Sequence, residues 1–233
     1  MEALLSPQKR QHALWLYVLL AGLFTAALVA CNLVANKFIE VDLGFHTFII
    51  SAGVLPYPLT FLVTDLLSEF YGKKRTNMVV LSGFFILLFV LGVLWLGAQF
   101  DAIEGSPVTD SAYAMVFGNS KRVILASMAA YIVAQLVDVR LFHFWKEVTK
   151  GKHLWVRNNF STMLSQFVDT VLVVGIIFYD RADLGVIEQM VLDGWLFKVL
   201  CAALDTPLMY LGTWAFRRHF KQTEYPEHVD ILS

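Results

Sequence analysis

Six apolar runs, each about the length of a membrane-crossing helix, follow one another at roughly 14–35, 48–71, 77–99, 121–145, 158–179 and 194–216. About 20 apolar residues in helix span the hydrocarbon core of a bilayer. The runs are continuous, whereas strands of a closed membrane barrel alternate with a dyad period. The pattern predicts an all-α integral membrane protein, a six-transmembrane-helix bundle forming a single membrane domain over 1–233. The second run is the irregular one. Pro56 and Pro58 remove two backbone donors, and Pro58 disfavours a helical Tyr57. They predict a discontinuous helix there, of the kind tolerated at membrane depth only against protein or a cavity. The third run, MVVLSGFFILLFVLGVLWLGAQ (78–99), has nothing ionisable and reads as scaffold.

Composition fits this reading. The chain is 58 % hydrophobic and only 16 % charged, against about 25 % charged in soluble domains. A net charge of −1 gives no basic surface for nucleic acid. With the N-terminus inside, the inner segments hold Lys9, Arg10, Lys73, Lys74, Arg75, Lys146, Lys150, Lys152, Arg157, Arg217, Arg218 and Lys221. The outer segments hold Lys37, Lys121, Arg122 and Arg181. The positive-inside rule then places both termini in the cytoplasm. Cys31 and Cys201 both lie in apolar runs, and there is no CxxC pair. Lys9, Arg10 and the later LVAC (28–31) resemble a lipoprotein cleavage box. An uncleaved first helix is the preferred reading, because everything downstream is also membrane-bound.

The candidate chemistry lies inside the runs. Asp138 in AQLVDV (134–139) and Asp169 in SQFVDT (165–170) each follow a glutamine by three residues. Gln135/Asp138 and Gln166/Asp169 therefore each share one helix face. A carboxylate at the helix centre costs roughly 2.5–3.5 kcal/mol to insert, so such residues face a polar cavity or a partner. We read the two acids as the floor of a polar site. Asp65 and Glu69 share a face at i,i+4, and the alternative for Glu69 is an interfacial salt bridge with Lys73–Arg75. Asn32 and Asn36, also i,i+4, reach the cavity or act as interhelical glue. Lys198 and Asp205 are seven apart on one face; Lys198 otherwise snorkels to the interface. Asn158 and Asn159 read as capping residues of the fifth helix. Tyr57, Phe61 and Phe167 lie near the acids, as packing or as stacking faces.

The set lacks a Ser/His or Cys/His pair at depth, and His46 and His143 lie near span ends. There is no HExxH, Walker A or dinucleotide fingerprint. No catalytic residue, metal site or cofactor is assigned. Carboxylates and amides in a dry cleft suit two tasks: handling protons or cations, and recognising a small polar heterocycle.

LGFHT (43–47), PLTFLVTDLLSEFYG (58–72), AQLVDVRLF (134–142), SQFVDTVL (165–172) and FKVLCAALDTPLMY (197–210) resemble the queuosine precursor transporter family, also called the vitamin uptake transporter family. The resemblance implies a multi-pass importer of the bacterial inner membrane and no enzyme activity. Its expected substrates are 7-cyano-7-deazaguanine and 7-aminomethyl-7-deazaguanine, salvaged for tRNA queuosine. A deazaguanine offers N1–H and the 2-amino group to a carboxylate, and its O6 needs a donor such as Gln135, Gln166 or Lys198. Expected partners are the substrate and membrane lipid, with a homo-oligomer compatible and no nucleic acid. Two alternatives stay open. One is a membrane subunit that takes up another vitamin-like compound with an ATPase partner. The other is a membrane enzyme using paired carboxylates.

Overall fold

A computed structural model describes residues 7–34, 37–44, 46–118, 121–180 and 183–220. Among the described residues the regular structure is six α-helices and one β-hairpin: α1 (Pro7–Leu33), β1 (Phe38–Asp42), β2 (Thr47–Ser51), α2 (Tyr57–Gly97), α3 (Asp110–Phe117), α4 (Lys121–Val148), α5 (Leu154–Phe178) and α6 (Leu184–Phe220). Among the described residues, three stretches are long and apolar enough to cross a membrane: Pro7–Leu33, Ala52–Gly97 and Leu154–Ile176. The chain is an all-α membrane protein apart from the hairpin.

The hairpin corrects the expectation that a helix starts at 48. β1 and β2 pair antiparallel, with Phe38 opposite Ser51 and Asp42 opposite Thr47. The segments FIEVD and TFIIS are rich in β-branched and aromatic residues, which suit a half-buried pleated surface. Gly44, at φ +80°, makes the turn and donates its N–H to Asp42 Oδ1 at 2.8 Å. Phe48 and Ile50 alternate into the interior against Phe197. A 3-10 turn, Ala52–Val54, then leads into α2.

The two prolines begin a helix rather than interrupt one. Pro56 is the N-cap of α2, and Pro58 sits in its first turn. There the missing N–H has no intrahelical partner to lose. The expected break is a helix start after an irregular segment.

A sharper break comes at Gly72, at φ 81° and ψ 166°. That conformation is essentially open to glycine alone. It divides α2 into arms at 57–71 and 73–97, and the second arm runs back beside the first. Contacts with α4 fix the directions. Descending α4, Tyr131 donates to the Val80 carbonyl (2.7 Å), Gln135 meets Thr60 and Thr64, and Lys146 reaches the Glu69 carbonyl (3.2 Å). The first arm thus descends with α4, and Val80 has already returned toward the other end. Gly72→Ala is expected to cost about 1–3 kcal/mol, measured as reduced thermal stability of the purified protein. Unchanged melting would contradict this reading of the turn.

α5 begins four residues earlier than the sequence pattern suggests. His153, in the left-handed region, precedes its first turn, so Asn158 and Asn159 lie inside the helix and do not cap it. Asn159 instead donates to the Trp155 carbonyl (3.0 Å) and to Thr206 Oγ1 of α6 (2.7 Å). α6 starts ten residues before the expected 194 and absorbs Glu188 and Asp193 of the acidic loop. α3 is a short helix within the other acidic loop, capped by Thr109 accepting from the Ala112 N–H (3.3 Å).

The apolar core joins Leu20, Phe24 and Leu28 of α1 to both arms of α2, Met128 and Tyr131 of α4, and Phe216 and Phe220 of α6. Phe70 and Phe216 stack with ring centroids 3.7 Å apart. Lys9 donates to the Phe220 carbonyl (3.4 Å), and His12 lies 3.3 Å from His219. The described ends of α1 and α6 therefore share a face with the Gly72 turn.

Candidate functional site

The first arm of α2 carries a polar ladder down the bundle. Its rungs meet α4, α5 and α6 at four levels.

The uppermost rung joins Tyr57, Asp169 and Lys198. Tyr57 opens α2, Asp169 is in α5 and Lys198 in α6. Tyr57 Oη donates to Asp169 Oδ1 at 2.8 Å, and Lys198 Nζ to Asp169 Oδ2 at 2.6 Å. Lys198 Nζ also lies 3.2 Å from Thr170 Oγ1 and 5.0 Å from the Tyr57 ring centroid. The ammonium thus sits over an aromatic face as well as against a carboxylate. Lys198 is largely buried here, not snorkelling. Its side chain is 12 % exposed.

The second rung is neutral. Gln135 Nε2 donates to Thr60 Oγ1, and Thr64 Oγ1 donates to Gln135 Oε1, both at 3.3 Å. The two threonines also bond back to carbonyls of their own helix. Gln166, on α5 near this level, is buried, and its Oε1 has no hydrogen-bond partner.

The third rung brings Asp65 and Asp138 side chain to side chain, within hydrogen-bonding reach. Ser165 of α5 donates to Asp138 Oδ1 at 2.9 Å. Among the described residues, none donates to either oxygen of Asp65 or to Asp138 Oδ2. Both acids are sealed from the surface.

The lowest rung is an ion cluster around Glu69. Arg157 of α5 donates to Glu69 Oε1 at 2.7 Å and Arg217 of α6 to the same oxygen at 3.2 Å. Lys146 of α4 lies 3.1 Å from Oε2. Arg157 also holds the Gly151 carbonyl at 2.7 Å. Four helices are tied here by one carboxylate and three cations. Glu69 is therefore a salt-bridge residue, but with cations of three other helices rather than with Lys73–Arg75.

The sequence-predicted residues thus divide. Asp169 and Lys198 meet; so do Asp65 and Asp138; Gln135 and Gln166 line the levels between. Asp205 is half-buried on α6, where its charge reaches Asp65. Asn32 turns back on its own helix, donating to the Leu28 carbonyl at 2.9 Å, and does not join the ladder. Asn36 lies outside the described residues. Thr60, Thr64, Ser165 and Arg157 belong to the ladder beyond the sequence-predicted residues, and Tyr57, expected as packing or a stacking face, joins it through its hydroxyl. The i,i+3/i,i+4 threonines below Tyr57 were the available signal. The partners across helices left none.

Two apolar grooves lie on the flanks, away from the ladder. One, of about 850 Å³, runs between α1 and residues 78–86. The other, of about 750 Å³, lies between α1, Leu66, Phe70 and α6. Neither contains a residue of the ladder, and both offer apolar walls. The middle of the ladder, Thr60, Thr64, Asp65, Gln135 and Asp138, is buried. Among the described residues no three His, Cys, Asp or Glu side chains converge as metal ligands would.

A family model described as "Putative vitamin uptake transporter" matches residues 51–212. That stretch contains every rung except Arg217. A "Probable queuosine precursor transporter" of Bacillus subtilis is 28 % identical over 185 residues, 79 % of each chain. A protein of the same name from Haemophilus influenzae is 28 % identical over 213 residues, 82 % of each chain. The "Queuosine precursor transporter" of Escherichia coli is 25 % identical over 174 residues, 72 % of this chain and 73 % of the relative. No solved structure matches the chain.

Proposed function

The chain belongs to the vitamin uptake transporter family, and from that premise we propose that it is a six-pass inner-membrane carrier importing 7-cyano- and 7-aminomethyl-7-deazaguanine. The observation that carries the substrate is the row formed by Asp169 and Lys198. Its two carboxylate oxygens accept and its ammonium donates. The edge of a guanine-like base reads donor, donor, acceptor: the 2-amino group, N1–H and O6. An Asp169–Lys198 pair opened by the base supplies acceptor, acceptor, donor in matching order. Tyr57 orients the carboxylate from the side, and its ring holds the ammonium. Gln135 and Gln166 lie below as further amide contacts, with the Asp65–Asp138 pair as the floor.

The Glu69 cluster closes the end of the ladder that the positive-inside rule assigns to the cytoplasm. Its opening, with separation of the upper rung, makes the site accessible from alternate sides. α4 and α6, of 28 and 37 residues, are long enough to cross. Counted with α1, α5 and the two arms of α2, they make the six crossings of this reading, in which the positive-inside rule puts both termini in the cytoplasm.

Purified chain in proteoliposomes is expected to take up labelled 7-cyano-7-deazaguanine unchanged. Absence of uptake would overturn the substrate reading, and a chemically altered product would point to an enzyme. The topology has its own test. A Ser106→Cys variant is expected to react with an impermeant thiol reagent from the periplasmic side. Reaction only from the cytoplasm would invert the arrangement.

A further inference from the structure

We infer that the Asp65–Asp138 pair is the carrier's proton site: one hydrogen, shared between the two carboxyls, that crosses the membrane in step with the substrate. This rests on the transport reading above and adds what drives it.

The first argument is hydrogen-bond arithmetic. Two ionised carboxylates are acceptors only, and facing each other in the interior they repel. Asp65 directly follows Thr64 of α2, Asp138 is one turn past Gln135 of α4, and those two neighbours touch at 3.3 Å, so the two buried acids stand side chain to side chain, within hydrogen-bonding reach. A hydrogen on one of them turns that contact into a bond. The Ser165 hydroxyl, 2.9 Å from Asp138 Oδ1, can donate to an ionised Asp138, and among the described residues Asp65 has no such neighbour, which makes Asp65 the natural bearer.

The second argument is that, among the described residues, no other group donates to either oxygen of Asp65, which is 1 % exposed. The groups facing the pair are few. α5 supplies Ser161, Ser165 and the charge of Arg157; α6 supplies the charge of Asp205. Arg157 is committed to Glu69 at 2.7 Å and to the Gly151 carbonyl at 2.7 Å. Of the charges on neighbouring turns, Lys146 is held by Glu69 at 3.1 Å and Asp169 by Lys198 at 2.6 Å. A metal cation fits poorly. It would have to part the two carboxyls and gather several oxygens around itself.

The same residues suggest how the proton and the inner gate communicate. Release breaks the Asp65 O–H bond, passes the proton to water on the inner side, and leaves two carboxylates where there was one. Arg157 Nε is buried and has no hydrogen-bond partner among the described residues. Its guanidinium is the cation that can answer the new charge. Turning to Asp65 takes it from Glu69 and loosens the four-helix cluster. Reprotonation from the outer side restores the closed arrangement.

Infrared spectroscopy of the purified protein tests the site without any substrate. The wild type at neutral pH is expected to show the carbonyl stretch of a protonated carboxylic acid. Asp65→Asn and Asp138→Asn should each remove it, because one hydrogen serves both, while Asp169→Asn keeps it. A wild type without the band, or a band surviving both substitutions, overturns the proposal. Proteoliposomes then test coupling. With one proton per substrate, each unit of inward pH gradient should support about tenfold accumulation of 7-cyano-7-deazaguanine. A protonophore should abolish it, and Asp65→Asn should lose the gradient-driven accumulation. Wild-type uptake indifferent to the gradient overturns coupling. No uptake under any gradient removes the substrate reading, and the infrared result still decides the proton site.

Discussion

Asp169→Asn is expected to weaken deazaguanine binding by about 100-fold while leaving a folded, membrane-inserted protein. Both oxygens of Asp169 are in use, one toward Tyr57 at 2.8 Å and one toward Lys198 at 2.6 Å. The substitution replaces one acceptor oxygen with an amide donor and removes the charge. The substrate then meets a donor where its own N–H points, and hydrogen bonds to a charged group are worth about 1.5–3 kcal/mol each. Each 1.4 kcal/mol is a factor of ten, so one or two such bonds give the stated loss. Insertion depends on apolar lengths of about 20 residues and survives. Calorimetry of the purified variant, with size-exclusion to verify folding, measures it. Unchanged affinity would remove Asp169 from the site.

Glu69→Ala is expected to act on stability and closure instead. Glu69 and Arg157 are each 1 % exposed, and one carboxylate answers Arg157, Arg217 and Lys146. Its removal leaves three cations facing one another. Breaking a buried pair by deleting one partner costs about 3–5 kcal/mol, because the remaining charge is uncompensated. Here the remaining charge is threefold, so the upper end of that range applies. The variant should melt earlier. It should also admit a thiol reagent to Ser161→Cys, a position fully buried in the parent. A variant that melts as the parent does and stays unreactive at that position would show that the cluster is not what closes this end.

The sequence pattern made the interior acids legible because a carboxylate stands out in an apolar run. Gln135/Asp138 and Gln166/Asp169 share faces as their spacing requires, and those faces turn inward. What helix periodicity cannot carry is which face meets which. Lys198 shares a helix face with Asp205, yet its carboxylate partner is Asp169 of α5. Glu69 looked tied to the adjacent basic run, yet its cations come from three other helices. Arg157 appeared only as part of a basic connector. Its burial follows from α5 starting at Leu154, which puts it on the first turn beside Glu69.

The irregular segments were misread for a different reason. Residues 48–51 are apolar enough for a membrane helix, and short apolar runs do not distinguish helix from buried strand. The β-branched content and the Gly44 turn decide for a hairpin. The prolines at 56 and 58 marked the right place but suit a helix start as well as a break. Gly72 governs the reversal of α2 through its positive φ, which no hydrophobic pattern records.

The most direct test of the central claim is calorimetric titration of 7-aminomethyl-7-deazaguanine into the purified chain in detergent, with guanine and riboflavin alongside. The account predicts tight binding of the deazaguanine by the chain alone, weaker binding of guanine and none of riboflavin. Binding of riboflavin without the deazaguanine would contradict it, and would direct attention to a vitamin-binding subunit and its ATPase partner.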